Sequence, residues 1–252
     1  MAAWIGDPPL SQSIRRFWKE VSVVPVDVPQ GYEVCLDGRS FRLPGGNRLI
    51  LGTLALAEAV AEEWRSIPPG SAFQTTSLPL TQMAGTQIER VAPDRAQIIG
   101  QLMAYGESDL LCYRATGSLG REQDALFDPV LQRFAARHGI MPEVTRSLLP
   151  LTVAPELQEV CRRALERFDD SALTCAAIGA PATGSLIMAI GLAEGWMQAK
   201  EANDMASVEE RHQMAQWGED DALLQEIERT GIDIDHALHF LALSQEKAPN
   251  GA

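Results

Sequence analysis

The dipeptide Asp37-Gly38 constrains the fold of this chain more than any other local feature. A type I′ turn needs positive φ at both central residues, and Asp-Gly is one of the few pairs that adopt it readily. Residues 32–36 (YEVCL) alternate like a half-buried strand, and residues 39–43 (RSFRL) follow the turn with a similar pattern. The sequence therefore predicts a β-hairpin centred on this turn.

Short apolar segments on either side of the hairpin extend it into a small antiparallel meander. Val21 and Val23 begin an apolar stretch that Pro25 and Pro29 confine to a sheet edge or to a break, because proline cannot donate to a ladder. Residues 44–47 (PGGN) predict another turn before the apolar residues 49–51.

Thr53 changes the pattern from strand to helix, since threonine is a favoured N-cap and apolar residues then recur at helical spacing. Pro68-Pro69-Gly70 ends this helix. We expect it to pack on the meander with Trp64 as a core anchor. The sequence thus predicts an α+β domain over residues 1–77.

The rest of the chain, residues 78–252, has the periodicity of a larger all-helical, orthogonal bundle-like domain. The predicted helices begin near Pro79, Pro93, Glu122, Pro155, Leu186 and, after Gly231, Asp233. The helix from Leu186 is apolar almost all round, which predicts a central buried helix. His138 before Gly139 suits a helix C-terminus better than a ligand role.

Charge, cysteine spacing and hydropathy limit the partners and the cellular location that we expect. The formal net charge is −13 and the isoelectric point is about 4.7, whereas nucleic acids and anionic membranes attract a positive surface. The four cysteines form no CxxC pair, which favours free thiols in a reducing compartment. The first residues lack the character of a signal peptide, and the longest apolar run is too short to span a bilayer. We therefore expect a cytoplasmic protein without stable membrane insertion.

Motifs for catalysis or cofactor binding are incomplete. Residues 179–185 (GAPATGS) have the outer glycines of a phosphate-binding loop, but serine replaces the essential lysine and the segment follows a helix. Glu209 and His212 match half of a carboxylate-bridged metal site, which would require a second such pair and further glutamates. A helical metal-dependent enzyme with ligands at Glu209 and His212 is the alternative function; otherwise no cofactor is expected.

Residues 205–224 (MASVEERHQMAQWGEDDALL) combine helix-start chemistry, acidic groups and a large aromatic residue. Ser207 and Glu210 fit a capping box, and Trp217-Gly218 then interrupts the helical pattern before an acidic run. This segment is typical of an acidic recognition edge, of a metal site or of a corner between two helices.

Several motifs, taken in order, resemble one known family: the ATP synthase assembly chaperones that bind the alpha subunit of the F1-ATPase. The resemblance runs from Arg16 to Phe240, with departures at Leu43, Phe127 and Ala222. The motifs are RFWK at 16–19, LDGR at 36–39, Leu56-Ala57 with Glu63-Trp64, LPLT at 78–81, SDLLCYR at 108–114, Gly184-Ser185-Leu186, and Gln213 with WGED at 217–220.

The resemblance implies a non-enzymatic chaperone that holds the free alpha subunit until a beta subunit replaces it. We expect a monomer whose partner-binding surface draws on one set of residues in the 205–224 segment. This set is Glu210, Gln213, Trp217, Glu219 and Asp220. The competing interpretation is that Trp217 belongs to the core and that the acids are only solvated. Arg39, Asp109, Tyr113 and Gln123 are expected to form intramolecular networks instead.

Overall fold

The computed structural model describes residues 14–147 and 149–246. The chain forms two compact units, each described by itself below. The helical unit spans Ala96–Leu238, and the N-terminal unit takes in the described residues up to Arg95 together with those from His239 onward. The predicted domain boundary after residue 77 stays a prediction.

The secondary structure is α+β, as predicted: the strands and one helix come first, and the other helices follow. The strands are β1 (Ile14–Arg15), β2 (Val21–Asp27), β3 (Gln30–Leu36), β4 (Arg39–Ser40), β5 (Ile50–Leu51) and β6 (Ala72–Phe73). The helices are α1 (Leu54–Ser66), α2 (Pro79–Thr86), α3 (Arg95–Glu107), α4 (Gly117–His138), α5 (Pro155–Arg167), α6 (Asp170–Thr183), α7 (Leu186–Ala193), α8 (Ala199–Ala206), α9 (Val208–Trp217) and α10 (Asp221–Gln245).

The hairpin turn lies where the sequence predicts it. Asp37 has φ of 49° and Gly38 has φ of 72°, which are the two positive angles of a type I′ turn. Strand β2 pairs antiparallel with β3, and both β4 and β5 pair with β3. Pro25 therefore lies on an edge strand, as predicted, because β2 has β3 as its one neighbour in this sheet.

The returning strand is shorter than predicted, because β4 ends at Ser40 instead of continuing to residue 43. Beyond it the chain turns onto itself: the Leu43 N–H donates to the Asn47 carbonyl, and the Leu49 N–H donates to the Phe41 carbonyl. The PGGN turn thus closes a local loop that bends the chain toward β5.

Helix α1 covers the sheet through an aromatic cluster. Thr53 caps it as predicted, since its hydroxyl accepts the Leu56 N–H at 3.2 Å. Trp64 is only 4% exposed and is a core anchor, as predicted. Its ring centroid lies 5.0 Å from that of Trp18 and 4.6 Å from that of Phe41, within the range of favourable aromatic pairs. Its indole N–H donates to the Thr81 hydroxyl at 3.0 Å.

In the helical unit, α7 is buried along its whole length, as predicted. Helix α6 ends at Gly184 with φ of 65°, and the Ser185 hydroxyl then accepts the Met188 N–H at 3.0 Å to cap α7. The glycine-rich segment 179–185 is therefore the turn between two packed helices. Helix α4 ends at Gly139 in the left-handed conformation, directly after His138, as predicted.

The last helix begins earlier than predicted. Helix α10 starts at Asp221 instead of near Asp233, and it continues through Gly231 to Gln245. Gly231 serves close packing, not helix termination: a Cβ atom there would lie 2.8 Å from the Asn203 side-chain nitrogen. Gly231 therefore lies inside the helix, and the predicted helix start after it is wrong.

Within residues 14–147 and 149–246, no helix has both the length and the apolar character needed to cross a membrane. All four cysteines have free thiols, as expected from their spacing, and all four are buried.

Candidate partner-binding site

The predicted site residues lie on α9 and in the turn between α9 and α10. Helix α9 ends at Trp217, and Gly218 adopts φ of 103° and ψ of 161°, a conformation that side-chain-bearing residues rarely adopt. The Gly218 N–H donates to the Met214 carbonyl at 2.9 Å. Asp220 then accepts the N–H groups of Ala222 and Leu223 at 2.9 and 3.2 Å, which caps α10. Both ends of the turn are therefore fixed by hydrogen bonds.

Trp217 is 78% exposed. The interpretation of Trp217 as a core residue is therefore wrong. Tryptophan carries one of the largest apolar surfaces of any side chain, and aromatic anchors of this kind dominate protein–protein interfaces. Its exposure beside a turn with a fixed backbone gives the corner an apolar knob.

The acidic and polar residues around this knob are also exposed. Glu219 and Asp220 lie in the turn itself, and Gln213 precedes Trp217 by one helical turn on the same face of α9. The Gln213 amide donates to Glu209 at 3.4 Å, which orients it along that face. We refer to Gln213, Trp217, Glu219 and Asp220 as the α9–α10 corner.

Glu210 differs from the other predicted site residues. It lies on the same helical stripe as Gln213 and Trp217, but it is half-buried. Its Oε2 atom is buried and has no hydrogen-bond partner among the described residues. Glu210 is thus less accessible to a partner than the other four residues.

The capping box predicted at Ser207 and Glu210 is wrong. Ser207 has φ of −107° and ψ of 14°, outside the extended region that an N-cap adopts, and its hydroxyl makes no capping bond to α9. That hydroxyl instead donates to the Asn203 carbonyl at 2.6 Å and accepts from Arg211 Nε at 2.9 Å. Packing between α8 and α9 has replaced the local motif.

His212, the other residue of the proposed metal pair, is engaged by α4. Its Nδ1 lies 2.9 Å from the Glu122 carboxylate, and its Nε2 lies 2.7 Å from the Gln216 amide and 3.3 Å from the Ser118 hydroxyl. Within residues 14–147 and 149–246, no three His, Cys, Asp or Glu side chains are grouped so that they could hold a metal ion. The arrangement around His212 is that of a polar contact between helices.

The SDLLCYR motif forms a buried support for α7. Asp109 Oδ1 accepts the Leu111 N–H at 3.0 Å and the Ser185 hydroxyl at 2.7 Å, while Oδ2 accepts the Ile187 N–H at 2.9 Å. Complete burial raises the pKa of the Asp109 carboxyl to about 6, although these hydrogen bonds oppose the shift. The carboxyl thus joins the start of the motif to the first turn of α7.

The same motif ends in a fully buried guanidinium group. Arg114 lies 3.1 Å from the Asp128 carboxylate and 3.3 Å from that of Asp124, both on α4. It also lies over the Phe127 ring, 4.7 Å from the centroid, a typical cation–π distance. The motif therefore serves the internal architecture.

Three of the four residues expected to form internal networks do so. Asp109 accepts the bonds described above, the Tyr113 hydroxyl accepts the Leu151 N–H at 3.1 Å, and Gln123 Oε1 accepts the Ala115 N–H at 2.6 Å. Arg39, in contrast, is exposed on β4.

The sequence interpretation missed a second surface, around residues 139–154. This loop between α4 and α5 lies beside a cavity of about 170 Å³, and it exposes several apolar side chains. The available signal was a group of apolar residues with no helical or strand period, namely Ile140, Met141, Val144, Leu149 and Leu151.

A fixed corner with an exposed aromatic anchor, beside motifs that only support the fold, is typical of a protein that acts by binding another protein.

A family model described as "ATP12 chaperone protein" matches residues 15–135. The crystal structure of Atp12 from Paracoccus denitrificans superposes with a TM-score of 0.84 at 29% identity, covering 92% of this chain and 98% of that one.

Two further solved structures are similar to this chain to the same degree. An aspartate-to-lysine variant of the P. denitrificans protein has a TM-score of 0.83 at 29% identity, covering 92% of this chain and 98% of that one. A candidate chaperone from Agrobacterium tumefaciens has a TM-score of 0.83 at 28% identity, covering 90% of this chain and 85% of that one. The chain belongs to the ATP12 chaperone family, a family of ATP synthase assembly chaperones.

Proposed function

We propose that this chaperone binds the unassembled alpha subunit of the F1-ATPase and holds it until a beta subunit takes its place. An unassembled subunit exposes apolar interface that would otherwise associate wrongly. A chaperone that must later yield to a permanent interface needs a modest and partly polar contact. It acts as a monomer in the cytoplasm, by binding alone and without a cofactor.

The α9–α10 corner is the proposed contact surface for the alpha subunit. The observation that carries this assignment is the exposed Trp217 ring beside a turn whose backbone is fixed by Gly218 and Asp220. Because the backbone of the turn is already fixed, binding loses little backbone entropy there. Glu219 and Asp220 add negative charge at the rim, which favours a basic patch on the partner and speeds encounter.

Glu210 has a supporting role in this proposal. Its Oε2 atom is buried, although the residue lies on the same stripe of α9 as Trp217. We expect Glu210→Gln to leave binding within about twofold of wild type, because the side chain keeps its shape and makes no exposed contact.

Co-elution of the full chain with isolated alpha subunit tests the surface. Trp217→Ala should weaken binding at least about tenfold, a typical cost of losing an aromatic anchor. Leu126→Ala is the matched control, because Leu126 is also an exposed apolar residue in the helical unit but lies on α4. If Trp217→Ala binds the alpha subunit as tightly as wild type does, the α9–α10 corner is not part of the interface.

Charge substitutions separate the role of the acids in binding from their role in the fold. Glu219→Lys reverses an exposed charge that no described hydrogen bond uses. Asp220→Asn removes charge but keeps an N-cap, since asparagine caps as well as aspartate. Both should weaken binding more at low salt than at high salt. Unchanged folding and unchanged binding in Glu219→Lys would exclude an electrostatic contribution from this residue.

A further inference from the structure

The cavity beside the 139–154 loop is a second feature able to receive a partner. Its volume is about 170 Å³. Its walls come from the end of α3, the turn after it, the loop itself, and the first turns of α5 and α7. Most of the lining is apolar or sulfur-bearing, and it includes Met141, Leu151, Leu157, Cys161, Leu186 and Ile187.

The cavity has the size and rigidity of a pocket for a single side chain. A dry apolar cavity of about 150 Å³ is enough to bind benzene, so this one has room for one leucine, methionine or phenylalanine side chain. Its walls are held in place by the hydrogen bonds of Asp109 to α7 and by the bond from the Leu151 N–H to the Tyr113 hydroxyl. Burial raises the pKa of the Cys112 and Cys161 thiols to about 12, so both act as small apolar groups.

The 139–154 loop also exposes apolar side chains to solvent. Met141 lines the cavity yet is 56% exposed, and Val144 and Leu149 on the same loop are 39% and 74% exposed. A small ligand would fill the cavity and leave these side chains in water. A polypeptide that inserted one side chain could cover them as well.

The acidic residues at the cavity favour an occupant that carries positive charge. The charged residues of the lining are Glu107, Asp109 and Glu143, all of them acidic. Asp109 is occupied by its bonds to α7, but Glu107 and Glu143 are exposed. In the part of the chain that the structure describes, neither glutamate has an ion-pair partner, so both are available to a cation from outside.

We propose that the cavity binds an apolar side chain of a client polypeptide segment that carries lysine or arginine next to it. The apolar side chain enters between α5 and α7, the neighbouring cation meets Glu107 and Glu143, and the segment covers Met141 and Leu149. This inference rests on the proposed function, because it gives the client a second contact on the helical unit besides the α9–α10 corner.

A peptide titration tests the chemistry of the pocket independently of any client protein. The probe is a nine-residue glycine–serine peptide with a central leucine followed by two lysines, added to the ¹⁵N-labelled full chain. Amide shifts should change mainly in the residues that line the cavity. Exchange of the leucine for serine, or of both lysines for glutamate, should weaken binding at least about tenfold. Equal binding of the leucine–lysine peptide and its serine and glutamate variants would overturn the proposal. Butylammonium binding as tightly as the leucine–lysine peptide would also overturn it.

Variants then connect the pocket to the alpha subunit. Met141→Glu places a charge at the exposed mouth, and Cys161→Leu fills the cavity from its wall. Each should weaken binding of isolated alpha subunit roughly ten- to a hundredfold, while Leu126→Glu on α4 should leave it unchanged. If Cys161→Leu fails to fold, Met141→Glu still decides, because that side chain is largely exposed.

The result distinguishes the two proposals. Absence of alpha binding by the wild-type chain contradicts the proposed function. Wild-type alpha binding that neither pocket variant reduces contradicts the pocket inference alone.

Discussion

Ser185 donates a 2.7 Å hydrogen bond to Asp109 across 76 residues of sequence, and both side chains are buried. The same hydroxyl accepts the Met188 N–H, so one serine both satisfies the carboxyl and caps α7. Because α7 is buried on every side, its first turn depends on this pair for hydrogen bonds that water cannot supply. The pair also fixes one wall of the proposed pocket.

Ser185→Ala should lower the free energy of unfolding by about 2–3 kcal/mol, since it removes a helix cap and leaves a buried carboxyl oxygen short of a donor. Urea denaturation of the full chain measures the loss. Ser147→Ala is the control, because its hydroxyl caps only an exposed turn by accepting the Leu149 N–H. A loss in Ser185→Ala no larger than that in Ser147→Ala would show that the pair is not a structural support.

The Asp109 carboxyl should titrate with a pKa near 6 in the folded chain, against 3.8 when it is exposed. Between these values the unfolded chain has released the proton while the folded chain retains it. This group therefore makes stability fall as pH rises from about 4 to 6, by up to about 3 kcal/mol, and its effect is absent below about pH 4. A ¹³C titration of the side-chain carboxyl is the measurement, and a pKa at or below 4 would contradict it.

Two helical glycines should respond oppositely to alanine. In Gly191→Ala, the new methyl group would lie 2.7 Å from the Trp196 ring, so α7 or the indole must shift. We expect a loss of about 1–3 kcal/mol from overpacking. In Gly100→Ala on α3 the methyl meets nothing within 4 Å, so stability should rise by about 0.5–1 kcal/mol. Thermal unfolding of both variants checks the contrast, and equal shifts would refute it.

Two tryptophans should likewise separate stability from binding. Trp64 lies in the aromatic core, so Trp64→Ala should cost about 3–5 kcal/mol of unfolding free energy. Trp217 lies in solvent, so Trp217→Ala should change stability by less than about 0.5 kcal/mol. Urea midpoints of the two variants give the comparison. A large stability loss in Trp217→Ala would mean that this ring packs against the chain in solution.

Local signals account for what the sequence predicted correctly. Asp37-Gly38 readily adopts the backbone angles of its turn, and Thr53 caps α1 through its own hydroxyl. The helix that begins at Leu186 is apolar on nearly every face, so the sequence alone predicts that it is buried.

The errors arose where contacts distant in sequence decide the local structure. Gly231 resembles a helix stop until Asn203 is known to lie against it. Ser207 resembles an N-cap until its hydroxyl is seen between Asn203 and Arg211. The exposure of Trp217 and the cavity under the 139–154 loop depend on how helices pack, which residue spacing alone does not determine.

Binding of isolated F1 alpha subunit, measured by fluorescence anisotropy with labelled chaperone, tests the central claim most directly. We predict saturable binding to alpha, no comparable binding to isolated beta, and release of the labelled chaperone when beta is added to the complex. An absence of binding to alpha, together with binding to unrelated unfolded proteins, would contradict the claim that this chain is an alpha-subunit chaperone.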